Sequence, residues 1–261
     1  MDLYICYALL AGCFTWLITM LGAATVIFFK DPDMKIMNIM LGFASGVMIS
    51  ASFWSLLEPA VSQCGNENSR AALIVVPAFL VGALFMWGTD RLLSLMRKKK
   101  SRVGNENESK LYMLILSITL HNIPEGLAVG VAFGALSGDY SSEKLMGAIA
   151  IALGIGLQNF PEGAAVSLPM RICGYSRLKS FAVGQASAVV EPLFAFIGAF
   201  AVLKIQSLMP FALSFAAGAM IIVAVHELIP DSQKMRNGSY SATFGIIGGF
   251  AMMMFLDIFF S

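Results

Sequence analysis

Charge is scarce in this chain. Charged residues make up 13% of its 261 residues and hydrophobic residues 58%. An ordinary soluble domain has about 25% charged and about 45–50% apolar residues. With a mean hydropathy of +0.78, the deficit excludes a soluble globular protein and leaves little chain for any soluble domain. A dominant sign of charge is missing too. The formal net charge is +1, which identifies no partner, and nothing points to nucleic acid. Cysteine is sparse and unpatterned. Cys6, Cys13, Cys64 and Cys173 form no Cys-x-x-Cys pair and read as small apolar fillers in helices. The opening Met-Asp-Leu-Tyr lacks the basic n-region of a signal peptide, so the first apolar run reads as a retained span.

What the chain has in abundance is long apolar runs. A membrane span needs about 20 mostly apolar residues. Eight stretches qualify: 3–29, 36–60, 71–95, 110–136, 144–169, 178–203, 208–229 and 241–260. The expectation is an all-α membrane protein of eight transmembrane helices, with 1–261 forming a single polytopic transmembrane domain. The 24 glycines are dispersed through these runs, as close helix packing in lipid requires. The longest polar stretch, 97–110, begins Arg97-Lys98-Lys99-Lys100 and holds no histidine, so it reads as a solvated linker and not a metal sensor. Placing it in the cytoplasm leaves only Arg70, Lys144 and Lys204, of the 17 basic residues, on the far side. The positive-inside rule then sets both termini outside the cytoplasm. Short loops and the missing targeting segment suggest a bacterial inner (plasma) membrane.

Two stretches repeat. His121-Asn122-Ile123-Pro124-Glu125-Gly126 in span four matches Gln158-Asn159-Phe160-Pro161-Glu162-Gly163 in span five, and these spans run in opposite directions. Leu41–Ile49 of span two likewise resembles Leu213–Ile221 of span seven. Between Gly-rich apolar segments, chance is an alternative for that second pair. Both pairings fit a 3+2+3 inverted repeat. Inverted repeats with Pro-interrupted helices near the midplane mark secondary transporters.

A carboxylate at mid-membrane needs a counter-charge, a proton or a water-lined cavity. Positions i and i+4 share a helix face, which joins His121 to Glu125 and Gln158 to Glu162. Asn122 and Asn159 sit one step round. Pro124 and Pro161 free the carbonyls of Leu120 and Leu157, and Gly126 and Gly163 permit close helix approach. Span six adds Glu191, followed by Pro192, deep in apolar sequence. Facing each other, these residues would form a divalent-cation site. Mixed imidazole, amide and carboxylate ligation suits Zn²⁺ and also accommodates Fe²⁺, Mn²⁺ or Cd²⁺. At the end of span seven, His226-Glu227-Leu228-Ile229-Pro230 resembles the zincin HExxH, but Pro230 stands where the second histidine must be. That excludes the protease site. Two readings remain for His226 and Glu227: a metal way-station at the cytoplasmic mouth, with Asp90 of span three on the same exit path, or an ordinary solvated helix terminus. Glu58 could attract cations or cap a helix, and Asp257 is left unassigned.

HNIPEG, QNFPEGAAVSLP, Glu191-Pro192 and FAAGAM…HELIP together resemble the ZIP family of metal-ion transporters, and within it the GufA-like branch. The resemblance covers essentially the whole chain in order. It implies an eight-helix 3+2+3 fold, zinc uptake into the cytoplasm, a binuclear metal centre, often a homodimer, and no enzymatic activity or catalytic cofactor. It also implies elevator-like movement of spans one, four, five and six against the other four. Carried over by motif position, His121, Glu125, Gln158 and Glu162 would hold the primary metal. Asn122, Asn159 and Glu191, with the shared glutamates, would hold the second. Many relatives carry His at the position of Gln158 and some Asp at that of Asn159, so a weaker second site is expected here. Competing readings are a broad Fe/Mn/Zn/Cd carrier, a metal channel or sensor, and an intramembrane metalloenzyme, which would need an activated water and a base.

Overall fold

The computed structural model describes residues 3–29, 33–65, 68–101, 106–138, 140–233 and 240–260. Lys30, Arg102, Lys234 and Arg236, used above for orientation, lie outside the described residues, as do the side chains of Arg97, Lys98, Lys99, Lys100 and Lys110. Eight helices are long and apolar enough to cross a membrane: α1 Leu3–Phe28, α2 Met34–Ser62, α3 Asn68–Met96, α4 Leu111–Ala135, α5 Ser142–Ile172, α6 Arg177–Lys204, α7 Gln206–Ser232 and α8 Ser241–Phe260. No strand occurs among the described residues. The chain is a multi-pass membrane protein.

Helix boundaries follow local chemistry. Asp33, Ser141 and Ser176 each precede a helix, and each side chain accepts a hydrogen bond from a first-turn backbone N–H. The α3 helix continues past its apolar part to Ser101, because Arg and Lys are good helix formers once the chain has left the apolar zone. Gly174, at φ 90°, ends α5 in the left-handed region that only glycine enters freely.

Two spans contain π-helical turns, Ser52–Leu57 in α2 and Ala224–Leu228 in α7. Proline accounts for both. Pro59 and Pro230 lack an N–H and crowd the carbonyl four residues back, at Ser55 and His226. A widened turn relieves the crowding and re-aims the side chains on it. A different break lies in α6, where Ser187–Val189 form turns between two helical pieces. There the N–H of Glu191 reaches only to Ala188 O, so Ser187 O loses its helical donor.

Packing follows the repeat. The α1 helix lies along α5 as α6 lies along α4, and α2 lies along α8 as α7 lies along α3. Exchanging one with six, two with seven, three with eight and four with five maps these pairs onto each other. The π turns obey the same rule: Ser52 and Ala224 are separated like Leu41 and Leu213. The helices α4 and α5 sit at the centre, with α5 the most buried of the eight spans and α8 the least.

The Pro-Glu-Gly glycines fix the central crossings. A Cβ on Gly126 would stand 2.6 Å from Glu191 O, and one on Gly163 would collide with Thr19 O. Gly147 and Gly248 have open space instead. Opposite effects are therefore expected on thermal unfolding followed by size-exclusion chromatography. Gly163→Ala should destabilise by about 1–3 kcal/mol through forced separation of α1 and α5. Gly147→Ala should be neutral, or stabilising by up to about 1 kcal/mol through helix propensity.

Candidate metal centre

Ser117, His121 and Glu125 rise one turn apart along a single face of α4. Around them are Asn122 on the same helix, Gln158, Asn159 and Glu162 on α5, and Glu191 on α6. All eight side chains are buried, Glu125 and Glu191 to 0% exposure. Among the described residues no lysine or arginine is fully buried, so the carboxylates have no fixed cation beside them in the core.

These residues divide into two groups. In the first, His121 Nε2 lies 3.3 Å from Glu227 Oε1 and 3.9 Å from Asp90 Oδ1. One ligand atom each from Asp90, His121 and Glu227 lie within 4.8 Å of one another. The Ser117 hydroxyl stands 3.1 and 3.2 Å from the two oxygens of Glu227 and 3.4 Å from His121 Nε2. Three helices converge here: α3, α4 and the π turn of α7. Asp90 and Glu227 keep 13% and 26% side-chain exposure, so this group lies nearer the surface of the bundle.

The second group is sealed. Gln158 Nε2 donates to Glu125 Oε1 at 2.7 Å, joining α5 to α4. Asn159 Nδ2 donates to Glu191 Oε2 at 2.8 Å and also approaches Thr15 O at 3.4 Å. Thr19 Oγ1 donates to Thr15 O at 3.3 Å and stands 3.4 Å from Glu191 Oε1. Asn122 Nδ2 donates at 3.0 Å to Ser187 O, the carbonyl stranded by the break in α6.

The placement refines the motif reading. His121 meets Asp90 and Glu227, two of the residues expected on an exit path, while Glu125 meets Gln158 across the α4–α5 interface. Glu162 is buried one turn along α5 from Gln158. His226, the other residue expected on that path, is exposed on the α7 turn and stands apart from the Asp90–His121–Glu227 group. Asp257 accepts a hydrogen bond from Ser55 at 2.6 Å. Sequence reasoning missed Ser117, Thr15 and Thr19. Their signal was spacing: Ser117 precedes His121 by four residues, and Thr15 and Thr19 are themselves four apart.

The donor–acceptor balance is lopsided. Both oxygens of Asp90, one of Glu125 and one of Glu162 are buried without a hydrogen-bond partner. So are the amide oxygens of Asn122, Gln158 and Asn159. Seven acceptor atoms from α3, α4 and α5 thus lack donors, although nearly all buried polar groups in proteins are satisfied. A cation supplies what hydrogen bonds do not. Carboxylate, amide oxygen and imidazole together form a donor set suited to a borderline divalent transition-metal ion.

The chain matches the family model described as "ZIP Zinc transporter" over residues 2–111 and 108–257. It is 36% identical to "Zinc transporter ZIP11" of Homo sapiens, with 96% of each protein covered. It is 33% identical to "Zinc transporter GufA" of Myxococcus xanthus, again over 96% of each. It is 34% identical to "Zinc transporter ZIPB" of Bordetella bronchiseptica, over 96% of this chain and 80% of that relative. Aligned with zinc transporters along nearly its whole length, and matched by the family model almost end to end, the chain belongs to the ZIP family, whose members are transporters and not enzymes.

Proposed function

We propose that this protein carries divalent transition-metal ions, zinc first among them, across the membrane into the cytoplasm by alternating access. The observation that carries the reading is the set of seven buried acceptor oxygens without donors around His121, Glu125, Gln158 and Glu162. Left ionised and empty, such carboxylates are costly at membrane depth, at about 2.5–3.5 kcal/mol each on insertion scales. A bound dication offsets that cost, and protons can replace it when the ion leaves.

His121, Glu125, Gln158 and Glu162 hold the transported ion in this reading. Asp90 and Glu227 take it next, sharing His121. Zinc is preferred because imidazole and carboxylate satisfy it at low coordination number. Fe²⁺, Mn²⁺ and Cd²⁺ tolerate the same donors and are the alternative cargoes. The cytoplasm is the destination if the basic 97–110 stretch faces it, with both termini outside an inner membrane.

The helix pairings support elevator-like movement of α1, α4, α5 and α6 against α2, α3, α7 and α8. Within the first set, contacts are close and glycine-mediated: Gly163 against Thr19, Gly126 against Glu191. The Asp90–His121–Glu227 group straddles the boundary, with His121 in one set and both acids in the other. Sliding would make and break that group while leaving Glu125–Gln158 and Asn159–Glu191 intact.

Two experiments test this. In proteoliposomes loaded with a fluorescent zinc indicator, Glu125→Ala should reduce zinc uptake to the level of protein-free liposomes. Wild-type uptake should saturate with zinc concentration. Unimpaired flux in the variant would remove Glu125 from the site, and non-saturating flux would favour a channel. The second concerns stoichiometry. Asn159 offers one neutral oxygen where an aspartate would offer a charge, and its nitrogen is already bound to Glu191. Purified protein should bind one zinc tightly and a second far more weakly, with Asn159→Asp restoring two tight ions. Two equally tight ions in the wild type, read by calorimetry and elemental analysis, would refute the weakened second site.

A further inference from the structure

Serine in a membrane helix usually turns its hydroxyl back onto its own helix, to a carbonyl three or four residues earlier. Ser45, Ser52, Ser187 and Ser214 do so here. The hydrogen bonds of Ser117 lead elsewhere. Its oxygen reaches across to α7, 3.1 and 3.2 Å from the two oxygens of Glu227, and stands 3.4 Å from His121 Nε2. A hydroxyl has one proton and two lone pairs, so it can donate to one of these atoms and still offer a lone pair to a cation held by the same group. Asp90, His121 and Glu227 alone give three protein ligands, whereas zinc is satisfied by four. Buried at 8% exposure on the same face as His121, Ser117 supplies the missing donor without any further helix.

We propose that Ser117 Oγ is the fourth donor of the Asp90–His121–Glu227 site, and that this oxygen sets the site's preference for harder over softer dications. The proposal rests on the transport reading, which brings ions to this site. The chemistry behind it is ligand softness. The site has no sulfur, and exchanging one oxygen for sulfur moves preference from Zn²⁺ and Mn²⁺ towards Cd²⁺. Serine and cysteine differ by that one atom, so the exchange tests the ligand with little change of shape.

The experiment uses purified full-length protein carrying Ser117→Cys or Ser117→Ala, beside the wild type with its four native cysteines. Titrating Cd²⁺ into Ser117→Cys should produce a new thiolate-to-cadmium charge-transfer absorption. It should be absent from the wild type and lost when Asp90→Ala is added. In proteoliposomes the Cd²⁺-to-Zn²⁺ uptake ratio of Ser117→Cys should rise roughly tenfold, a change of about 1.4 kcal/mol in discrimination. Ser117→Ala should raise the half-saturating zinc concentration several-fold. Wild-type uptake with neither a new band nor a changed ratio overturns the assignment of Ser117 and leaves the transporter reading standing. A cadmium band in the variant without ion uptake by the wild type does the reverse. If the cysteine variant fails to elute as a single species, an unchanged half-saturation in Ser117→Ala overturns the proposal by itself.

Discussion

Everything about the centre of this molecule follows from an excess of acceptor oxygens over hydrogen-bond donors. Three glutamates, one histidine and three amides are buried between α4, α5 and α6, and no lysine or arginine is buried with them among the described residues. In water each oxygen would be satisfied at once. In a low-dielectric interior an unpartnered one costs about 1–3 kcal/mol, and more if it is charged. The buried amides spend their donors on three contacts, Gln158 to Glu125, Asn159 to Glu191 and Asn122 to Ser187 O, each tying together two helices. The surplus that remains is tolerable in a protein whose cargo is itself a positive charge.

The backbone is nearly symmetric and the chemistry is not. Each half places a π turn before a proline, and each packs an aspartate-bearing helix beside that turn: α3 with Asp90 beside α7, α8 with Asp257 beside α2. The side chains have diverged on that common frame. Where α7 presents Glu227, the equivalent position in α2 is Ser55, and Ser55 hydrogen-bonds Asp257. Where α4 carries His121 and Ser117, α5 carries Gln158 and Gly154. One half therefore keeps a negative, imidazole-bearing group, while the other has a serine–aspartate pair. A repeat of this kind can supply two equivalent backbone arrangements while its asymmetric side chains give the ion different binding strengths at the two ends.

Much of this was legible in the sequence. Glutamate and proline inside long apolar runs stand out because the membrane penalises them. The repeated Asn-x-Pro-Glu-Gly motif pointed to buried polar residues on α4 and α5, and the structure buries them there. Eight spans were visible because hydropathy integrates over some twenty residues and tolerates error at either end. The grouping of side chains was not legible. Spacing of i and i+4 says that His121 and Glu125 share a face, and says nothing of which neighbour each rotamer meets. His226 and Glu227 are adjacent in sequence. In the structure Glu227 contacts His121 and Ser117 while His226 is exposed. Serine and threonine are uninformative in apolar helices because most of them bond back to their own backbone. Spacing alone could hint at Ser117, Thr15 and Thr19, but which helix each meets is visible only in the structure.

The position of His121 has a further consequence for alternating access. Its ring belongs to the helix set that carries Glu125, Gln158 and Glu191, but it touches Glu227 and Asp90 of the other set. On the proposed mechanism, one imidazole serves two metal environments in turn. An ion passing from the glutamate-lined core to the α3–α7 acids then keeps at least one protein ligand throughout and is never released bare into a low-dielectric interior. The geometry sets a condition on that transfer. A displacement that carries α4 away from α7 would break the 3.3 Å contact between His121 and Glu227, together with the Ser117 bonds beside it. The arrangement seen here is thus the one in which the two helix sets are engaged at this group. On the proposed mechanism, an ion bridging His121 to Glu227 would oppose their separation, which would couple ion occupancy there to helix displacement.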